Sequence, residues 1–170
     1  MSDAPSPAAV RIRPARSDDA EGIAHVYLES AEYHAGVDPE RYSVCAFEPI
    51  AARYRAGLQH APDAGEESIT LVAEMSGGIV GFVDTRLYRS PDPMHREILY
   101  CNIVEIAVSR QHQSQGIGGQ LLQTAEEWGR GQGAQLALLE YNAANQRAGE
   151  FYRRRTQYRV ASITAIKRLW

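Results

Sequence analysis

The sequence predicts an α/β protein, a mixed and mostly antiparallel sheet of six to seven strands flanked by helices on both faces. Three observations predict it. Apolar runs rich in branched residues alternate along the chain with segments of helical periodicity. Two of those runs are joined by a tight turn, Met75-Ser76-Gly77-Gly78. A third, Ile103 to Val108, leads through a polar, glycine-bearing turn into a helix that opens near Ile117.

The elements follow in chain order. Residues 1–9 are rich in Pro, Ala and Ser and lack the basic and apolar regions of a signal peptide, so a disordered tail is expected before a single domain spanning 10–170. Val10 to Arg13 alternates apolar and basic residues and suits a short strand ending at Pro14. Asp18-x-x-Glu21 reads as a capping pair for a helix whose stripe is Ala20, Ile23, Ala24, Tyr27 and Leu28. Gly36 and Pro39 break that pattern, and Pro49 opens a second helix to about Leu58. His60 to Glu67 is read as loop. The runs Ile69 to Glu74 and Ile79 to Tyr88 form a hairpin, and Glu97 to Val108 is the next strand. In the helix that follows, Ile117, Leu121, Leu122, Ala125 and Trp128 line one face, and Gly129, Gly131 and Gly133 end it. Leu136 to Tyr141 is a strand, Asn145 caps a short helix to about Arg155, and Tyr158 to Leu169 is a terminal strand, whole or broken in two.

Composition narrows the function classes. A chain of 170 residues can bury a core without disulfides or metal. A net charge of -3 gives no electrostatic footprint for nucleic acid, and no apolar run is long enough to span a bilayer. Cys45, Cys101 and the five histidines have no metal-ligand or redox spacing, so no metal is expected and the two thiols suit a reducing cytoplasm.

The turn from Gln113 to Gly119 is a built anion site. Glycines let the backbone approach a ligand closely, and the first N–H groups of a helix have no partner within it, so they and the helix dipole favour a phosphate. A dinucleotide fingerprint would need a small residue where Leu121 stands, and a Walker loop would need Gly-Lys-Ser/Thr, which is absent. What stands is Gln113-x-x-Gly116-x-Gly118, followed downstream by Leu139-Glu140-Tyr141-Asn142 and by Asn145, Ala148, Phe151 and Tyr152.

On these residues the chain resembles the GNAT superfamily of N-acetyltransferases, closely from Ser68 to Trp170 and loosely before it. The resemblance implies a GNAT-like fold and acetyl-coenzyme A as co-substrate. Its pyrophosphate would lie on Gln113, Ser114, Gln115, Gly116, Ile117, Gly118 and Gly119, and its pantetheine arm along Ile106, Ala107 and Val108. A backbone N–H there, that of Ile106, would face the thioester oxygen. Asn145 is expected both to cap its helix and to bond the pantetheine arm, and Tyr152 matches the tyrosine that returns a proton to the coenzyme A sulfur.

Two glutamates compete for the role of base. Glu140 matches the acid used by relatives that acetylate protein N-termini, and alternation along Leu136 to Tyr141 predicts it half-buried, with its pKa raised. Glu105 is the rival, on the strand that carries the thioester. The histone-acetylating branch keeps an acid where Asn102 stands here, which argues against histone-type chemistry. The chain also departs from the family after Tyr152, where Gln157 stands in a glycine's place after Arg153-Arg154-Arg155, so the bend there must be made differently. The arginines read as a helix end complementing the dipole or as a grip on the 3'-phosphate.

The acceptor is expected to be a small-molecule amine or a peptide or protein amine, received between Tyr27 and Tyr54 among acidic and aromatic side chains. Direct transfer in a ternary complex is the expected reaction, and a non-catalytic acetyl-coenzyme A sensor is the alternative. The short terminal strand could pair across a homodimer.

Overall fold

The computed structural model describes residues 9–59 and 67–169; most of the expected tail and of the loop from His60, together with Trp170, lie outside them. The chain divides into two compact units, one up to Glu140 and one from Tyr141.

The first unit is a five-stranded sheet in the order β1-β2-β3-β4-β5, with β1 Arg11–Pro14, β2 Ser68–Met75, β3 Gly78–Arg89, β4 Leu99–Val108 and β5 Leu136–Leu139. The first four strands are antiparallel neighbours, and β5 joins β4 in parallel. The turn between β2 and β3 holds Ser76 and Gly77 at φ of 52° and 81°, the two left-handed residues of a tight hairpin turn.

Helices α1, Ala20–Val37, and α2, Phe47–Gln59, cover one face of the sheet. Their Ala20, Ile23, Ala24, Val26, Ile50, Ala51 and Tyr54 form a core with Val72, Phe82 and Ala107. A single 3-10 turn, Ser17–Asp19, precedes α1, and Asp19 rather than Asp18 anchors the chain there. Its carboxylate accepts the Arg16 N–H at 2.7 Å and pairs with Arg13 of β1, which also reaches Glu74 of β2.

Helix α3, Ile117–Gly131, covers the other face. Its Ile117, Leu121, Leu122 and Ala125 are buried, as their spacing predicts. A β-carbon built on Gly129 would lie 2.5 Å from the Cys101 sulfur, so the closeness of α3 to β4 depends on that glycine.

The second unit carries α4, Gln146–Arg155, capped by the Asn145 side chain, which accepts the Ala148 N–H at 3.0 Å. Tyr141, Phe151 and Tyr158 surround the Tyr152 ring at centroid distances of 5.4, 5.2 and 6.0 Å.

Among the described residues the strand count is five, not six to seven. Tyr158 to Leu169 forms no strand, and Val160, Ile163, Ile166 and Leu169 are exposed. Branched residues favour extended backbone, but a strand exists only where another strand takes its N–H and C=O groups, and this segment has no such ladder. No helix among the described residues is long and apolar enough to cross a membrane.

Candidate active site

The turn into α3 is shaped by local chemistry. Gly116 sits at φ 83° as the residue before the helix, a conformation that would strain a side chain. Its N-cap is a glycine, so no side chain of that residue takes up the N–H groups of the first turn, which have no partner within the helix. A β-carbon at Gly119 would meet nothing within 4 Å. Gln113 braces the turn from behind, its amide donating to the Val108 carbonyl at 2.9 Å. Arg110 ties the turn to α1: its N–H donates to Glu29 at 2.6 Å and its guanidinium to Glu32 at 2.5 Å. Two of the acidic side chains between Tyr27 and Tyr54, where the acceptor is expected, Glu29 and Glu32, are thus engaged with the arginine.

The middle of β4 is irregular on both edges. Asp84 of β3 faces Glu105 while Thr85 faces Ile103, so Val104 is an extra residue, a β-bulge. On the other edge β5 pairs only with Tyr100 to Ile103. From Val104 to Val108, the segment holding Ile106, Ala107 and Val108, the strand has a strand partner on its β3 side alone. The bulge also reverses which residues face which helix. Cys101 packs against α3, where its thiol donates to the Ala125 carbonyl, whereas beyond Val104 it is Ala107 that joins the α1 and α2 core. Glu105 shares that face by alternation.

Glu105 is consequently half-buried beside aromatic and acidic neighbours. Burial, and next the negative charge of Asp84, push its carboxyl up to about 7, against the pull of Arg53. Asp84 accepts the Tyr54 hydroxyl at 2.9 Å and the Thr70 hydroxyl at 2.7 Å. Arg53 donates to the Tyr54 oxygen at 3.0 Å and lies over the rings of Tyr27 and Tyr54 at 5.0 and 4.8 Å. None of Asp84, Thr70, Arg53 and Tyr54 stands out as chemistry in the sequence reading. The available signal was Asp84 itself, the one acid in the run Ile79 to Thr85.

Glu140 is placed differently from its expectation. Strand β5 ends at Leu139, so Glu140 stands outside the ladder and is exposed, not half-buried. Tyr152 is buried, and burial, with a smaller contribution from Tyr141, raises its phenol to about 12, which keeps its proton in place at neutral pH. Asn145 is buried as well, its side-chain oxygen engaged by the cap. Gln157 takes φ 63°, so the bend after α4 is made by a left-handed glutamine where the family often has glycine. Among the described residues no group of three or more His, Cys, Asp or Glu side chains could hold a metal ion.

With this geometry in view, the family model of the acetyltransferase (GNAT) family matches residues 24–156. The chain belongs to that family and is an acetyl-coenzyme A-dependent acetyltransferase. The N-acetyltransferase YhfO of Bacillus subtilis is 25% identical over 143 residues, covering 84% of this chain and 86% of its own. Among solved structures, a tetramutant of the BH1408 protein from Bacillus halodurans superposes with a TM-score of 0.81 at 22% identity, covering 94% of this chain and 99% of that one. The aminoglycoside N-acetyltransferase AAC(6')-Iy in complex with CoA superposes with a TM-score of 0.71 at 13% identity, covering 98% and 99%. These two similarities show the shared fold.

Proposed function

We propose that this chain transfers an acetyl group from acetyl-coenzyme A directly to a primary amine within a ternary complex, with Glu105 as the base and Tyr152 as the proton donor. The co-substrate supplies the acetyl group as a thioester. The turn from Gln113 to Gly119 holds its pyrophosphate on backbone N–H groups, and the half-paired β4 segment offers its backbone to the pantetheine arm. Glu105 takes the proton that the amine loses as the new N–C bond forms, and the Tyr152 hydroxyl gives one to the departing sulfur as the C–S bond breaks.

The observation that carries the reading is Glu105 on the bulged strand. A carboxylate pushed up to about 7 holds enough basicity to accept a proton and is still ionised in a useful fraction at neutral pH, whereas Glu140 is exposed and stands outside the ladder. Direct transfer is favoured over an acyl-enzyme because the Cys101 thiol is buried against α3 and pushed up to about 11 by that burial, and next by Glu126. The simultaneous presence of both substrates has a parallel in AAC(6')-Iy, which binds the bisubstrate analog CoA-S-monomethyl-acetylneamine.

The test is acetyl-coenzyme A consumption against a panel of polyamines, aminoglycosides, amino acids and peptides, followed by three variants with the best acceptor. Glu105→Gln should lower kcat by about 10² to 10⁴-fold and remove the acidic limb of the pH profile. Tyr152→Phe should lower turnover by about 10 to 10²-fold, the low end for a general acid, because a thiolate leaves readily. Glu140→Gln should keep its rate. A large loss in Glu140→Gln with none in Glu105→Gln reverses the assignment.

A further inference from the structure

Glu105 does not stand alone on its face of the sheet. The register sets Asp84 directly opposite it, and the next pair along the same face is Phe82 with Ala107, both in the core beneath Tyr54. Directly opposed residues of an antiparallel pair hold their β-carbons about 4.5–5.5 Å apart, so the two carboxyl groups share one partly desolvated space.

Asp84 is fixed in that space from two sides. The Tyr54 hydroxyl donates to its Oδ2 and the Thr70 hydroxyl to its Oδ1, so each oxygen receives a donor, an arrangement that an ionised, acceptor-only carboxylate satisfies. Arg53 in turn donates to the Tyr54 oxygen, which directs the single Tyr54 proton toward Asp84. Nothing in the proposed transfer calls for Asp84 to touch a substrate; each of its oxygens is engaged by a donor within the protein. Two like charges this close cannot both form freely. Burial pushes the Asp84 carboxyl up as well, but its two hydroxyl donors and the charges of Arg53 and Arg86 pull it back, which favours Asp84 as the member of the pair that carries the charge.

We infer that Asp84 is a positioning residue for the transfer: its carboxylate, locked by Tyr54 and Thr70 across the ladder from Glu105, sets the pH at which Glu105 becomes a base. The inference rests on Glu105 being the base. The other titratable and charged groups around the pair are Arg86 on β3, Arg53 and Tyr54 on α2, and Tyr27 on α1, with Cys45 beside Tyr27. Arg53 acts in the opposite sense to Asp84 and holds the Glu105 carboxyl down.

The experiment is a 13C NMR titration of the full chain, labelled at the Asp and Glu carboxyl carbons, with signals assigned through Asp84→Asn and Glu105→Gln. It needs no acceptor. The Glu105 signal should titrate near 7 in the wild type and about one pH unit lower in Asp84→Asn. A folded Asp84→Asn whose Glu105 midpoint stays in place overturns the inference. Should Asp84→Asn fail to fold, Tyr54→Phe keeps the ring and removes one donor, and the Asp84 midpoint must then rise; an unmoved midpoint also overturns it. The two readings fail separately. A shifted midpoint with full turnover in Glu105→Gln removes the base and leaves the coupling, whereas lost turnover in Glu105→Gln with an unmoved midpoint in Asp84→Asn removes only the coupling.

Discussion

Gln157 stands in the left-handed region, at φ 63°, where a β-carbon crowds the backbone. The bend it makes is needed: the Tyr152 carbonyl at the end of α4 accepts the Tyr158 N–H at 3.0 Å, and the chain must turn back after Thr156 to deliver it. The side chain of Gln157 is exposed. Gln157→Gly should therefore stabilise the protein by several tenths to about 1 kcal/mol, the relief of strain less the extra freedom glycine has when unfolded. Gln157→Val should destabilise it, and equal denaturation midpoints for all three proteins would show that position 157 carries no strain. The sequence marked this position, because the departure from a glycine was visible in the letters. It did not mark Asp84, since a lone acid in Ile79 to Thr85 acquires meaning only when the register sets it across from Glu105. The choice between Glu105 and Glu140 was equally hidden: alternation treats both as strand carboxylates, and what separates them is the bulge at Val104 and the end of β5 at Leu139.

At the scale of elements, the turn into α3 separates binding from folding. Gly116 is a poor probe, because any side chain there is strained by the φ of 83° whether or not a ligand binds. Gly119 lies inside the helix with open space around a built β-carbon. Gly119→Val should thus leave the melting temperature close to wild type, yet weaken acetyl-coenzyme A binding at least tenfold, about 1.4 kcal/mol, by filling the space left for the phosphates. Calorimetry giving wild-type affinity would remove Gly119 from the binding surface. The elements that were legible are those whose signals are local, such as the Ser76-Gly77 turn, the apolar stripe of α3 and the Asn145 cap. The terminal strand was not, for Val160, Ile163 and Ile166 have the right propensity while the ladder that would make them a strand depends on a partner elsewhere in the fold.

Across the whole molecule, two carboxylates give stability opposite slopes with pH. Asp19 is held below the usual carboxylate range, chiefly by its hydrogen bonds from Arg13 and despite some burial, so its contribution is present above its unfolded pKa of about 4 and is lost as pH falls through the lower folded value. Glu105 does the reverse. Its folded carboxyl titrates near 7 and its unfolded one near about 4.3, so in that window the folded state binds more protons, and stability falls as pH rises. The cost at pH 8 is on the order of 1–3 kcal/mol, because the group keeps some contact with solvent. Glu105→Gln removes the titration while keeping the shape. Urea denaturation should therefore find Glu105→Gln close to wild type in stability near pH 4, with an advantage that grows up to pH 7 and is flat beyond it. A constant difference across that range would mean that Glu105 titrates alike in the folded and unfolded chain, and the base proposed for the transfer would lose the burial on which its strength depends. If the advantage grows as expected, the one substitution should make the protein firmer and slower together: the strain of holding this carboxylate between β3 and α2 is what leaves it able to accept a proton at neutral pH.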